Sequence, residues 1–243
     1  MASAPTRTRS VRLFQTAPHA CGYYADRQAQ DLLLDPWETQ LGEAYATAVA
    51  AGFRRSGGQV YRPRCEACRA CRPLRLPLQQ FQPNRSQRRC SQRNADLRLV
   101  DDVRAPTTEH YALFKRYLQA RHRDGGMDQG DAADFEAFTC SHFSDTRFLE
   151  LRLEDQLLAV AVTDVLPDAL SAVYTCFDPE HSARALGTLA ILRQIEWGRS
   201  QGKRYLYMGF LIEGHPKMAY KARFRPAERL EQEGWRRYQP AED

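Results

Sequence analysis

The chain has 243 residues, 43% hydrophobic and 27% charged, with a formal net charge of +5. This length buries a core without help from disulfides or metals and suits one large domain or two small ones. No apolar run reaches the ~18 residues of a membrane span, and the polar start MASAPTRTRS lacks the apolar centre of a signal peptide, so the chain is expected in the cytoplasm, with its seven cysteines outside any disulfide framework.

The first ten residues read as disordered. VRLFQT (11–16) reads as a short strand, and PHACGYY as a turn. DPWETQLGEAYATAVAAG predicts a helix over 35–52. Asp35 would cap it, Pro36 would take the first helical position, and Glu38 sits three residues after the cap. Trp37, Leu41, Ala44, Tyr45 and Ala48 would form its apolar stripe, and Gly52 would stop it.

Residues 54–93 hold eleven arginines, no lysine and a single acid, Glu66, so the rest of the chain is net acidic. Tyr61, Phe81 and the adjoining Phe53 make this stretch look folded rather than tail-like. Arginine's planar fork suits phosphate better than lysine's point charge, so the patch raises nucleic acid as a partner. A basic loop region is expected to about residue 83. Within it RPLRLPL (72–78) reads as an edge strand, because prolines are excluded from central ones. SQRRCSQR reads as a short basic helix and ADLRLVDD as a strand.

Helices are expected over 107–122, with Tyr111, Phe114 and Leu118 on one face, and over 131–143, with Phe135, Phe138 and Phe143 inward. RDGGMDQG is a flexible link between them. RFLELRLE alternates, placing Leu149, Leu151 and Leu153 inward and Glu150 outward. LLAVAVTDVL (157–166) is continuously apolar, as a strand covered on both faces would be. A third strand (169–177), a long helix (184–202) and a fourth strand (204–210) complete a β-β-β-α-β order. The expected class is α/β with a mixed sheet, divided as a Cys/Arg-rich region 1–105 and a second domain 106–243.

Cys65, Cys68 and Cys71 form CxxCxxC. Thiolates at that spacing converge from a tight loop, so a metal or cluster, plain structural thiols and a redox pair all remain open. Cys21 and Cys90 are candidates for a fourth ligand, and Cys140 and Cys176 read as core residues. HSARALG (181–187) stands between a strand and a helix, where acetyltransferases of the GNAT type receive the pyrophosphate of coenzyme A on backbone N–H groups. Gly187 is its one glycine, so the same scaffold is expected to serve another donor. YLYMGFLIEGHPKMAYKARFRP (205–226) ends a strand and offers Lys217, Tyr220, Lys221 and Arg223 as a site wall.

CGYY, GFRRSGGQVYRPRCEACRACRPLRL, SQRR, VYTCFDP, ALGTLAILRQIEW, YLYMGF and KMAYKARFRP together resemble the arginyl-tRNA–protein transferase family. The likeness is strongest to its short bacterial branch, which moves leucine from leucyl-tRNA to proteins beginning with Asp or Glu. The resemblance implies a GNAT-like acyltransferase fold, an aminoacyl-tRNA donor, a protein acceptor and a product marked for the N-degron pathway. Where members often carry a second cysteine, Cys21 is followed by Tyr24. A zinc or iron–sulfur site is thus either lost or moved to Cys21, Cys65, Cys68 and Cys71.

Amine attack on an ester needs no cofactor and no strong base, since an α-amino group with a pKa near ~8 is partly neutral in the cell. Positioning and oxyanion donors supply the acceleration. Arg85, Arg88, Arg89 and Arg93 are expected to contact tRNA phosphates. Arg54, Arg55 and Lys217 are expected to take the acceptor carboxylate. Tyr174, Tyr207, Tyr220 and Lys221 would line the reacting centre. Alternatives are an arginyl donor, a coenzyme A-dependent N-acetyltransferase, and a non-enzymatic metal-stabilised RNA-binding module.

Overall fold

The apolar run at the centre of the chain is β10 (Gln156–Val165), and its neighbours explain its composition. It pairs antiparallel with β9 (Asp145–Leu153) on one side and β11 (Ala169–Phe177) on the other. Leu158, Ala159 and Ala161 face one cluster, and Leu157, Val160 and Val162 face another. A computed structural model describes residues 10–121 and 130–240. The disorder expected at the start falls almost wholly outside the described residues, as does most of the flexible link.

The elements run in order. β1 (Leu13–Gln15), β2 (His19–Ala20), β3 (Gln28–Ala29) and β4 (Asp31–Leu34) precede α1 (Leu41–Ala50). β5 (Arg54–Ser56), β6 (Gln59–Pro63), β7 (Arg72–Pro77), α2 (Arg85–Arg93) and β8 (Arg98–Val100) follow. Then come α3 (Thr108–Arg121), α4 (Ala132–Thr139), β9, β10, β11, α5 (Leu186–Ser200) and β12 (Tyr205–Leu211), and last β13 (Glu228–Glu231) and β14 (Gly234–Arg237).

A mixed eight-stranded sheet has the order β14-β13-β7-β12-β11-β10-β9-β8, so the expected β-β-β-α-β core is present. α5 covers one face through Leu186, Leu189, Leu192 and Ile195. α3 and α4 cover part of the other through Leu113, Phe114, Leu118 and Phe135. α1 packs beside Leu166, Ala169 and Tyr207 with a four-stranded sheet, β1-β4-β6-β5. The boundary expected at residue 105 does not separate two sheets, since β7 and β8 belong to the eight-stranded one. No helix among the described residues is long and apolar enough to cross a membrane.

Four expectations are corrected. β7 is interior, between β12 and β13, rather than an edge. Its prolines are tolerated because pairing with β13 spans only Leu74 and Arg75, leaving Pro73 and Pro77 outside that ladder. The basic stretch is partly a hairpin, β5–β6, instead of loop. α1 begins at Leu41, not Asp35. Asp35 is buried, pairs with Arg12 at 2.6 Å and accepts from the Trp37 amide at 3.0 Å, which makes a turn and leaves Trp37 80% exposed. Glu150 is also buried, because α3 covers that face of β9 and places His110 Nε2 2.7 Å from its carboxylate.

Candidate active site

The site grows from a divergence of two strands. β11 and β12 pair in parallel only from Ala169–Ser171 to Tyr205–Tyr207. Beyond that point both strands carry a bulge relative to their outer partners, at Val162/Thr163 against β11 and at Tyr207/Gly209 in β12. The fork between them is bridged by Arg54 of β5. Its Nη1 donates to the Tyr207 carbonyl at 3.5 Å, and its Nη2 donates to the carbonyls of Ala172 and, at 3.5 Å, Val173. Carbonyls that the separating strands no longer pair with each other thereby gain a donor. Gly209 makes this possible: its φ is +78°, and a Cβ there would meet Arg54 Nη1 at 2.8 Å.

Lys221 sits at the end of the fork, on the short 3-10 turn Ala219–Arg223. It is 7% exposed, and its Nζ donates to the Phe210 carbonyl at 2.7 Å. Burial, reinforced by the charge of Arg54 and opposed by Cys71, brings its amine down to about 7. Tyr61 of β6 meets Phe210 edge-on at 6.1 Å. His215 is held by Tyr23 and Tyr24, with centroids at 5.7 and 5.5 Å, and its Nε2 lies 3.1 Å from the Tyr23 carbonyl. The Lys217 amide donates to its Nδ1 at 3.2 Å, so the ring is an Nε2–H tautomer tying the CGYY segment to the loop after β12.

The expected site residues do not all meet here. Tyr174 is half-buried on β11 beyond the fork, against Phe138 at 5.1 Å, Phe114 at 5.7 Å and Tyr117 at 6.4 Å. Tyr220 is 41% exposed and close enough to Tyr117 and Arg54 to feel both electrostatically. Tyr207 is elsewhere: its ring is 6% exposed, packs on Trp235 at 5.6 Å and points its hydroxyl at Arg75, 3.4 Å away. Its contribution to the fork is a backbone carbonyl. Lys217 is exposed, and its ammonium has no partner among the described residues.

Arg55 cannot take an acceptor carboxylate, because it already holds one. Both it and Asp164 have side chains fully removed from solvent. Nε and Nη2 reach the two Asp164 oxygens at 2.7 Å, and Nη2 also meets the Thr139 carbonyl at 2.8 Å and Thr146 Oγ1 at 3.1 Å. The Tyr45 hydroxyl donates to Asp164 at 2.6 Å. Adjacent residues on a strand point to opposite sides, so Arg54 opens on the fork while Arg55 closes a buried network. Charge alone did not separate them; the apolar helix stripe holding Tyr45 and the lone Asp164 in an apolar run were the available signals.

α2 carries the four other arginines. Asn84 caps it in a capping box with Gln87. Gln87, Cys90 and Asn94 are buried, and Arg85, Arg88, Arg89 and Arg93 are exposed. The buried side rests on the turn before α5. Asn94 Nδ2 donates to the Arg184 carbonyl at 2.9 Å, the Cys90 thiol meets the Ala185 carbonyl at 3.6 Å, and Arg93 donates to the Ala183 carbonyl. This is the turn a coenzyme A pyrophosphate would need, and α2 covers it. Gly187 serves packing, since a Cβ there would lie 3.1 Å from the Phe177 ring.

The thiols stand beside the fork. Burial first, then the neighbouring Cys21, Cys65 and Cys68, push Cys71 up to about 12. The Ala70 amide, helped by Arg27 at 3.5 Å, lowers Cys68. Cys90 belongs to α2 and the α5 turn, which removes it as a fourth ligand. Among the described residues no three His, Cys, Asp or Glu side chains are arranged to hold a metal.

Two family models match this chain: the N terminus of arginine-tRNA-protein transferase over residues 19–89 and its C terminus over residues 109–231. A Stenotrophomonas maltophilia (strain K279a) protein named aspartate/glutamate leucyltransferase is 50% identical over 97% of this chain and 96% of its own. Proteins of the same name from Xylella fastidiosa (strain 9a5c) and Xanthomonas campestris pv. campestris (strain B100) are 49% and 52% identical, each over 93% of this chain and 91% and 92% of theirs. Among solved structures, L-PGS from Bacillus licheniformis covers 62% of this chain and 49% of its own at 15% identity, with a TM-score of 0.43. A GCN5-related glucosamine N-acetyltransferase region of a fungal enzyme covers 83% and 22% at 10% identity, with a TM-score of 0.41. The chain belongs to the arginine-tRNA-protein transferase family and is a transferase.

Proposed function

We propose that this protein transfers leucine from leucyl-tRNA to the α-amino group of proteins beginning with Asp or Glu, in the cytoplasm, marking them for the N-degron pathway. The observation that carries this reading is the exchange of a coenzyme A seat for an arginine-bearing helix over the N-terminus of α5. The names of relatives spanning nearly the whole chain supply the leucine and the acidic acceptor.

In the reaction the amine nitrogen attacks the ester carbonyl. The new C–N bond forms, the C–O bond to the terminal ribose breaks, and the ribose oxygen takes a proton while the amine gives one up. A buried amine near pH 7 can carry that proton, and Lys221 is such a group at the fork. Lys217, free of partners among the described residues, and the half-exposed Arg54 offer cations to the acceptor carboxylate. Tyr220 and Tyr174 wall the opening. Cys21, Cys65, Cys68 and Cys71 hold the segment behind Arg54 and Tyr61 in shape; metal analysis of native protein shows whether an ion joins them.

The test is one assay. Labelled aminoacyl-tRNAs are mixed with peptides beginning with Asp, Glu, Lys or Arg. Leucine is expected on Asp and Glu peptides alone. Arginine transfer would shift the donor, and acetyl transfer from coenzyme A without tRNA would overturn the reading.

A further inference from the structure

α2 carries four arginines and no acid, and the loop 214–226 carries Lys217, Lys221, Arg223 and Arg225 and no acid. The two segments touch: Gln87 Nε2 donates to the Arg223 carbonyl at 3.2 Å. Between them lies a cleft of about 420 Å³ lined by Gln82, Asn84, Gln87, Ala222, Arg223 and Arg225. No carboxylate lines it. Its base is stiff, because Phe81 and Phe224 stack beneath it at 6.2 Å and are each 2% exposed.

The polar groups of the cleft divide into two sets. Asn84 Oδ1 and Gln87 Oε1 are spent on the helix cap, so the helix start is already satisfied. The guanidinium of Arg223 has no partner among the described residues, and that of Arg225 makes a single bond, from Nε to the Ala222 carbonyl. Elsewhere in the chain arginines are commonly spent on carboxylates, as in Arg75–Glu228, Arg152–Glu109 and Arg184–Asp96. Two unneutralised forks facing one cleft suit phosphate oxygens, which guanidinium binds bidentately.

Position specifies the ligand further. Arg223 ends the 3-10 turn Ala219–Arg223, which also carries Lys221, whose Nζ is fixed at the fork, and the exposed ring of Tyr220 just before it. On its other side the cleft is lined by Asn84 and Gln87, at the start of α2. We propose that the cleft is a subsite for the phosphates of a single-stranded RNA 3′ end, held by Arg223 and Arg225, with Tyr220 stacking on its terminal base. This rests on the tRNA reading of α2 and adds a second contact set: duplex phosphates on α2, and the unpaired end in the cleft. An aromatic face next to a cationic groove is the usual means of holding single strands.

The experiment uses the full chain and a fluorescent five-nucleotide RNA with the shared 3′-terminal sequence of tRNA, beside intact leucyl-tRNA. The native protein is expected to bind the short RNA. Arg223→Ala/Arg225→Ala is expected to weaken it about tenfold or more, and Tyr220→Ala, which removes one stacked base, about tenfold. Arg88→Ala/Arg89→Ala should leave the short RNA unchanged while weakening intact tRNA. No binding of the short RNA, equal loss in both double variants, or no loss in Arg223→Ala/Arg225→Ala would overturn the subsite. Tyr220→Phe keeps the stack and should bind as native; if it fails and remains folded, the stacking assignment falls. None of these outcomes depends on which amino acid is transferred, so failure of the leucine reading would show separately in the transfer assay.

Discussion

Arg55 and the α2 arginines use one side chain in two opposite ways. Beneath β10, Arg55 is enclosed with Asp164, Tyr45, Thr139 and Thr146, and every contact is with protein. On α2, Arg85 and Arg89 have no side-chain partner among the described residues, and Arg88 and Arg93 reach only the carbonyls of Pro83 and Ala183. A buried pair cannot lose a partner cheaply, because the remaining charge stays out of water. A solvated arginine without an acid costs the fold little and keeps its charge for something outside it. The difference teaches that arginines of one basic segment, alike in charge, can carry separate tasks, one of fold and one of contact.

Breaking the enclosed side should give the largest effect. Asp164→Ala leaves Arg55 charged in the core, and loss of about 3–5 kcal/mol is expected in urea unfolding. A loss below ~1 kcal/mol would mean that the network is wet or loosely held. At the fork, Gly209→Ala forces a left-handed φ on alanine and pushes on Arg54. A cost of about 1–3 kcal/mol is expected, with transfer reduced beyond what the remaining folded fraction explains. If stability and transfer both stay native, Arg54 does not need that approach.

The pH dependence sharpens the same contrast. Lys221 is depressed from 10.5 to about 7, so the folded state disfavours its charged form. Its contribution to stability is full above the unfolded value and is lost as pH falls toward 7. Stability is therefore expected to decline from pH 9.5 to 7, and Lys221→Met should remove that part of the slope. An unchanged slope in the variant would show that Lys221 is charged and solvated. His110 is lowered by burial against the pull of Glu150, so its contribution is present above the ordinary histidine value near ~6.5 and lost as pH falls below it. His110→Asn should flatten unfolding midpoints between pH 6.5 and 5 by the smallest amount of this series.

Much of the frame was legible in the sequence, for a physical reason. β10, β11, α5 and β12 are covered on wide faces, so their periodicities stand out, and β11 has the expected bounds of 169–177. SQRRCSQR was read as a short basic helix, and the structure adds the capping box at Asn84 and the buried side of Gln87, Cys90 and Asn94. Readings failed where polarity was taken as exposure. Arg55, Glu150 and Asp35 are buried because partners distant in sequence neutralise or bond them. Trp37 and Tyr207 failed in the other direction: an aromatic ring was expected in the helix stripe or the site, and a turn and a sheet neighbour placed it elsewhere. Of the site, Arg54, Lys221 and Tyr220 were named as residue types on expected loops, but a fork defined by strand divergence leaves no local sequence mark.

The central claim is that the acid-free helix α2 meets tRNA while the fold rests on other arginines. Its most direct measurement is leucyl-tRNA affinity against salt for the native protein and Arg88→Glu/Arg89→Glu, with thermal unfolding of both. Native log K should fall linearly with log salt, and the variant's slope should be shallower by about 2, near 0.9 per lost phosphate contact, with the unfolding midpoint unchanged. An identical slope and affinity in a folded variant would contradict the account.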